Sequence, residues 1–139
     1  MFTSVSARSA NAYQRVSIDV GIDQANPHHL IEMLFDGLTR NINAARGAIV
    51  RSDIKAKCQH ISNAVRILEE GLKGSLNISQ GGELAANLEA VYDFCVYRLT
   101  MANLRNDEAM LKEVANIIAP VADGWKQIGS NGALTKQTM

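Results

Sequence analysis

The residues that carry chemistry in other proteins are spaced here in ways that keep them apart. Glu69-Glu70 and Asp107-Glu108 are adjacent pairs. Neighbouring positions on a helix point to different sides, so neither pair can share one substrate atom. They read as solvated-face and helix-cap residues. The histidines are His28, His29 and His60. No i, i+4 ligand pair and no Glu-x-x-His occurs, and the latter is what a di-iron bundle requires. Cys58 and His60 are two apart and cannot meet on a helix as nucleophile and base. The glycines at Gly71, Gly74, Gly81 and Gly82 match neither the P-loop nor the dinucleotide fingerprint. No catalytic site, metal site or cofactor is expected.

Stepping outward from these residues, the elements that hold them are helical. Asn26-Pro27 is a start signal: Asn caps free N–H groups, and Pro at the first helical position loses nothing by lacking its own. A first helix to about Val50 carries the core stripe Ile31, Leu34, Phe35, Leu38, Ile42, Ala45 and Ile49. Gly37 lies inside it and reads as a site of close backbone packing. Ser52-Asp53 caps a second helix with the stripe Ile54, Cys58, Ile61, Val65, Leu68 and Leu72, ending at Lys73-Gly74. Ser75 to Gly82 has the composition of a loop. A third helix runs to about Asn103, and the turn Arg105-Asn106-Asp107 leads into a fourth. That one carries Leu111, Val114, Ile118, Val121, Trp125 and Ile128, with Pro120 expected to kink or split it. From Gly129 the tail is expected to fray.

Ahead of the helices, Val16, Ile18, Val20 and Ile22 alternate with polar residues, the period of an extended segment. It reads as a strap laid on the bundle, with a short helix around Tyr13 as the competing reading. The expected organisation is therefore all-α: an antiparallel up-and-down four-helix bundle over 26–130, an N-terminal tail and strap over 1–25, and a flexible C-terminal tail over 131–139.

The 139 residues suffice for one domain, and 14 basic residues balance 14 acidic ones. This balance, with the basic residues scattered, discounts nucleic acid and other polyanions. No apolar run approaches the about 20 residues of a membrane span. The N-terminus lacks a secretory signal's layout, and Cys58 and Cys95 read as free thiols of a reducing compartment, so a cytoplasmic protein is expected.

The third helix is apolar on too many sides. Leu84, Leu88, Val91, Cys95 and Leu99 make one stripe, while Phe94, Tyr97, Met101 and Leu104 make a second. One stripe suffices to pack a helix in a bundle, so the other is offered to a partner.

Three stretches together carry a resemblance. They are Ala12-Tyr13-Gln14-Arg15-Val16, the run Asn26-Pro27-His28-His29-Leu30-Ile31-Glu32-Met33-Leu34-Phe35-Asp36-Gly37, and the run from Gly81-Gly82-Glu83-Leu84 through Val91-Tyr92-Asp93-Phe94 to Leu104. In order and spacing the chain resembles the bacterial flagellar export chaperone family FliS over residues 11 to 127. The resemblance implies a cytoplasmic bundle that binds the disordered C-terminal segment of flagellin, blocks premature polymerisation and delivers the client to the type III export apparatus. An export-gate component is a second partner it allows. It also implies that the N-terminal region lies over part of the client groove until the client displaces it. The client-binding candidates are Tyr13 and Val16 on the strap, Phe94, Tyr97, Met101 and Leu104 on the third helix, and Ile67 and Ile117 as flanks. Met33, Met101 and Met110 would let the surface adapt to different side chains. The free protein is expected to be a monomer or weak dimer. The competing reading is a helical self-association module without a client, and a small-ligand bundle enzyme comes third.

Overall fold

Three caps set where the helices begin. The Asn26 side chain accepts a hydrogen bond from the His29 N–H at 2.8 Å, with Pro27 at the first helical position. Asp53 does the same for Ala56 at 3.1 Å, and Asp107 for Met110 at 3.2 Å. Each carboxylate or amide oxygen satisfies an N–H that has no partner within its own helix. All three are the caps expected from the sequence. The computed structural model describes the chain from Asn26 to Thr138, and its side chains outside 78–80 and 130–138. The strap expected around Tyr13 and Val16 lies outside the described residues.

Helix α1 spans Pro27–Val50 and α2 spans Ile54–Arg66. A π-helical stretch, Ile67–Leu72, and a 3-10 turn, Lys73–Ser75, prolong α2. Helix α3 spans Ile78–Arg105 and α4 spans Glu108–Thr138. Each helix packs on its two neighbours in the ring α1–α2–α3–α4, with α4 closing on α1 and no close backbone approach across either diagonal among the described residues. The result is the antiparallel all-α four-helix bundle that four amphipathic stripes and short turns dictate. Ser52 and Asn106, with φ of 59° and 52°, take the left-handed conformation that lets the first and third turns reverse so tightly.

The core joins Leu34, Phe35, Leu38 and Ile42 of α1 to Ile61 and Leu68 of α2, Tyr92, Cys95 and Leu99 of α3, and Leu111, Val114 and Ile118 of α4. Ile49 and Val65 of the expected stripes are only half-buried, and Ile54 is exposed at the start of its helix.

Four expectations change. Ser75–Gly82 is not a plain loop: the backbone is helical from Ile78 and breaks at Gly82, where φ is 57° and ψ is −132°. Glycine has no Cβ to oppose that conformation. Pro120 does not split the last helix, which is continuous from Glu108. Pro120 and Asn116, whose carbonyl loses its helical donor, are both exposed, so the missing bond falls on the solvent side. The α4 backbone also stays helical beyond Gly129, where fraying is expected, as far as Thr138. Among the described residues Gly37 meets no second backbone: a Cβ there would touch the Ile67 Cδ1 at 3.4 Å, an ordinary contact.

Candidate functional site

The second stripe of α3 is real and faces outward. Phe94 is 46% exposed, Tyr97 57% and Leu104 74%, while Met101 is half-buried against the core. Leu99, Cys95 and Tyr92 occupy the opposite, buried face. Tyr92 is thus a core residue, and its burial pushes the phenol up to about 12.

An ion pair fixes the register of α3 against α4. The Arg98 guanidinium meets Glu113 at 2.6 Å. Phe94 lies one turn before Arg98 and Ile117 one turn after Glu113, so in an antiparallel pair they face the same seam. Met101 lies nearly one turn to the other side of Arg98. The seam therefore gathers Phe94, Met101 and Ile117, with Tyr97 and Leu104 on its outer edge. Ile67 does not join them. It packs over Gly37, on the α1–α2 side of the bundle. Met33 and Met110, expected to soften the surface, are buried.

Toward the start of α3, on its other face, lies an apolar pocket of about 480 Å³. Leu84, Leu88 and Tyr92 of α3 form one wall, and Pro120, Val121, Gly124, Trp125 and Ile128 of α4 another. Pro27, His28, Ile31 and Phe35 of α1 form the third side, and Leu72, Ser75 and Leu76 the floor where the second helix ends. The bundle's topology produces this meeting: the start of α1, the end of α2, the start of α3 and the far half of α4 share one pole. Leu84, expected in the core stripe, is instead 65% exposed at the pocket. Leu104 and Leu84 lie twenty positions apart on α3, about 30 Å at 1.5 Å per residue, with the Arg98–Glu113 pair between them.

None of these pocket residues is in the client-binding set expected from sequence. Trp125 and His28 were legible only as a core position and a first-turn residue. An antiparallel bundle puts the start of helix one beside the end of helix four, and that rule alone brings the pair together. The imidazole and indole stack with centroids 4.3 Å apart and planes 9° apart. The Trp125 indole N–H also donates to the His28 carbonyl oxygen at 3.0 Å.

The electrostatics give the surface no catalytic character. Charged side chains beside it are engaged in pairs: Arg98 with Glu113, and Lys73 with Asp93 at 2.8 Å. The Asp93 carboxylate, through its hydrogen bond first, raises the Lys73 amine. Among the described residues no group of three His, Cys, Asp or Glu side chains converges as metal ligands. No described helix is long and apolar enough to cross a membrane.

Comparison with known proteins agrees with this architecture. Residues 9–132 match the family model described as flagellar protein FliS. The chain is 42% identical to the flagellar secretion chaperone FliS of Salmonella typhimurium, over 88% of this chain and 90% of that relative. It is 39% identical to the flagellar secretion chaperone FliSB of Pseudomonas aeruginosa, over 87% and 95%. It is 36% identical to the flagellar secretion chaperone FliS of Bacillus subtilis, over 84% and 82%. With the family model spanning most of the bundle and such relatives matching nearly end to end, this chain belongs to the FliS family of flagellar proteins, a family of chaperones and not of enzymes.

Proposed function

We propose that this protein is a cytosolic export chaperone for flagellin. It holds the disordered C-terminal segment of the unassembled client, prevents premature polymerisation and hands the client to the flagellar type III export apparatus. One observation carries the reading: an exposed apolar stripe, Phe94, Tyr97 and Leu104, on the same helix whose Leu84 and Leu88 wall an apolar pocket with Trp125. A disordered client loses chain entropy on binding, so it needs a long apolar track to compensate. A span of about 30 Å accommodates some 20 residues of helical client at 1.5 Å rise. Pro27, the first residue of α1, lines the pocket, which suits a strap on the preceding residues, bearing Tyr13 and Val16, that competes with the client. An export-gate component is the second partner of the loaded complex.

The test is calorimetric titration with a peptide of the C-terminal segment of the cognate flagellin, followed by far-UV circular dichroism of the mixture. Saturable one-to-one binding with a negative heat-capacity change and a gain in helix is expected. No binding by a folded protein, together with dimers in sedimentation, would replace this reading with self-association through the same stripe.

A further inference from the structure

His28 is packed on both sides. Its ring stacks on Trp125, and its edge lies against the α4 backbone at Gly129. A Cβ built on Gly129 would fall 2.1 Å from the imidazole Nε2 and 2.4 Å from Cδ2, far inside any contact that two real atoms make. Gly129 is thus a socket for the ring. The imidazole Nε2 is buried and has no hydrogen-bond partner among the described residues, while the Glu32 Oε1 lies at ion-pair distance, 3.4 Å. The described residues thus place the ring by its face on Trp125, its fit against Gly129 and its contact with the Glu32 carboxylate. Trp125 is fixed in turn by the stack and by its N–H bond to the His28 carbonyl. Its indole is a wall of the pocket.

We propose that His28, seated in the Gly129 socket, is a positioning residue for client binding: it holds the Trp125 indole flat as a preformed wall of the pocket. This rests on the proposed function, since it takes the client's apolar side chains as the pocket's occupants. The physical gain is preorganisation. A side chain already fixed in its bound rotamer loses no further freedom when the client arrives. The pairing ties the first turn of α1 to the far half of α4, so the wall does not depend on α4 alone.

The chain's one tryptophan lies in this wall, so its fluorescence reads the site directly. The experiment titrates the full chain with the flagellin C-terminal peptide in four forms: unchanged, His28→Ala, Gly129→Ala, and the two substitutions combined. The unchanged chain should bind with a shift in Trp125 emission. His28→Ala and Gly129→Ala should each weaken binding about tenfold, with red-shifted, broadened emission before peptide is added and unchanged helical content. The combined form should bind no worse than His28→Ala, because the added methyl then has no ring to displace. A purely structural role would lower the melting midpoint while leaving the emission and affinity of the folded fraction unchanged, and that result overturns the proposal. Binding within twofold in both single variants overturns it too, while leaving the chaperone reading intact. Failure of the unchanged chain to bind overturns both.

Discussion

Lys57 of α2 donates from its ammonium to the carbonyl oxygen of Asn103, in the last turn of α3, at 2.9 Å. The same ammonium bonds the Asn106 side-chain oxygen in the α3–α4 turn. Lys57 is 4% exposed, and it is the buried charge among the described residues. The arrangement ties α2 to the α3–α4 turn at the pole opposite the pocket, and it caps the Asn103 carbonyl at the negative end of the α3 dipole. Lys57→Ala should cost about 2–3 kcal/mol, since hydrogen bonds to a charged group are lost and an acceptor is left unpaired. Urea denaturation measures it. A loss under about 0.5 kcal/mol, the usual range of a surface change, would mean that the pair is incidental.

On the outer stripe, Tyr97→Asp should abolish binding of the flagellin peptide and leave helical content intact, because Tyr97 is 57% exposed and contributes little to the core. Phe94→Asp should act in the same direction. Calorimetry with circular dichroism on the same samples separates the two effects. Normal binding by Tyr97→Asp would remove this stripe from the client surface.

Two glycines should answer alanine in opposite ways. At Gly71, in the π-helical stretch, a Cβ would lie 3.0 Å from the Cδ1 of Leu34, a fully buried side chain. Overpacking there should destabilise by about 1–2 kcal/mol. At Gly37 the nearest atom is the Ile67 Cδ1 at 3.4 Å, and the position is mid-helix. Gly37→Ala should therefore stabilise by up to about 1 kcal/mol through helix propensity alone. Thermal melts of the two variants should move apart from the parent in opposite directions.

Alkali should unfold the protein through two buried groups. Burial pushes the Cys95 thiol up from 9.0 to about 11, with Glu113 adding to it, and the Tyr92 phenol up from 10.0 to about 12. In each case the unfolded chain ionises first, so the folded state holds more protons across the window. Stability is then intact below about pH 9 and falls as pH rises, by up to about 1.4 kcal/mol per pH unit for each group while that group is in its window. For Cys95 the window runs from 9.0 to about 11, and for Tyr92 from 10.0 to about 12. Cys95→Ala should remove the lower part of the slope in denaturation curves measured against pH. At pH 8, alkylation of the native protein should find Cys58, which is half-buried, before Cys95.

The bundle was written in local signals. Asn26-Pro27, Asp53 and Asp107 mark helix starts because an N-cap is chemistry between residues three apart. The stripe from Ile31 to Ala45 marks a buried face because a helix repeats every 3.6 residues. The surplus apolar face of Phe94, Tyr97 and Leu104 was legible for the same reason: one helix can bury one face, and the sequence carries two. Long-range geometry decided the rest. The pocket needs the four helix ends at one pole, and its socket joins His28 to Gly129, a hundred residues away in the chain. No period in the sequence links the two. Ile67 could not be placed on a seam without knowing which neighbour it faced, nor Met33 and Met110 kept from the surface. Pro120 could not be read as harmless until its solvent exposure was known. Helix identity is set by interactions within a turn or two, whereas a cavity is the space between elements, and only their packing defines it.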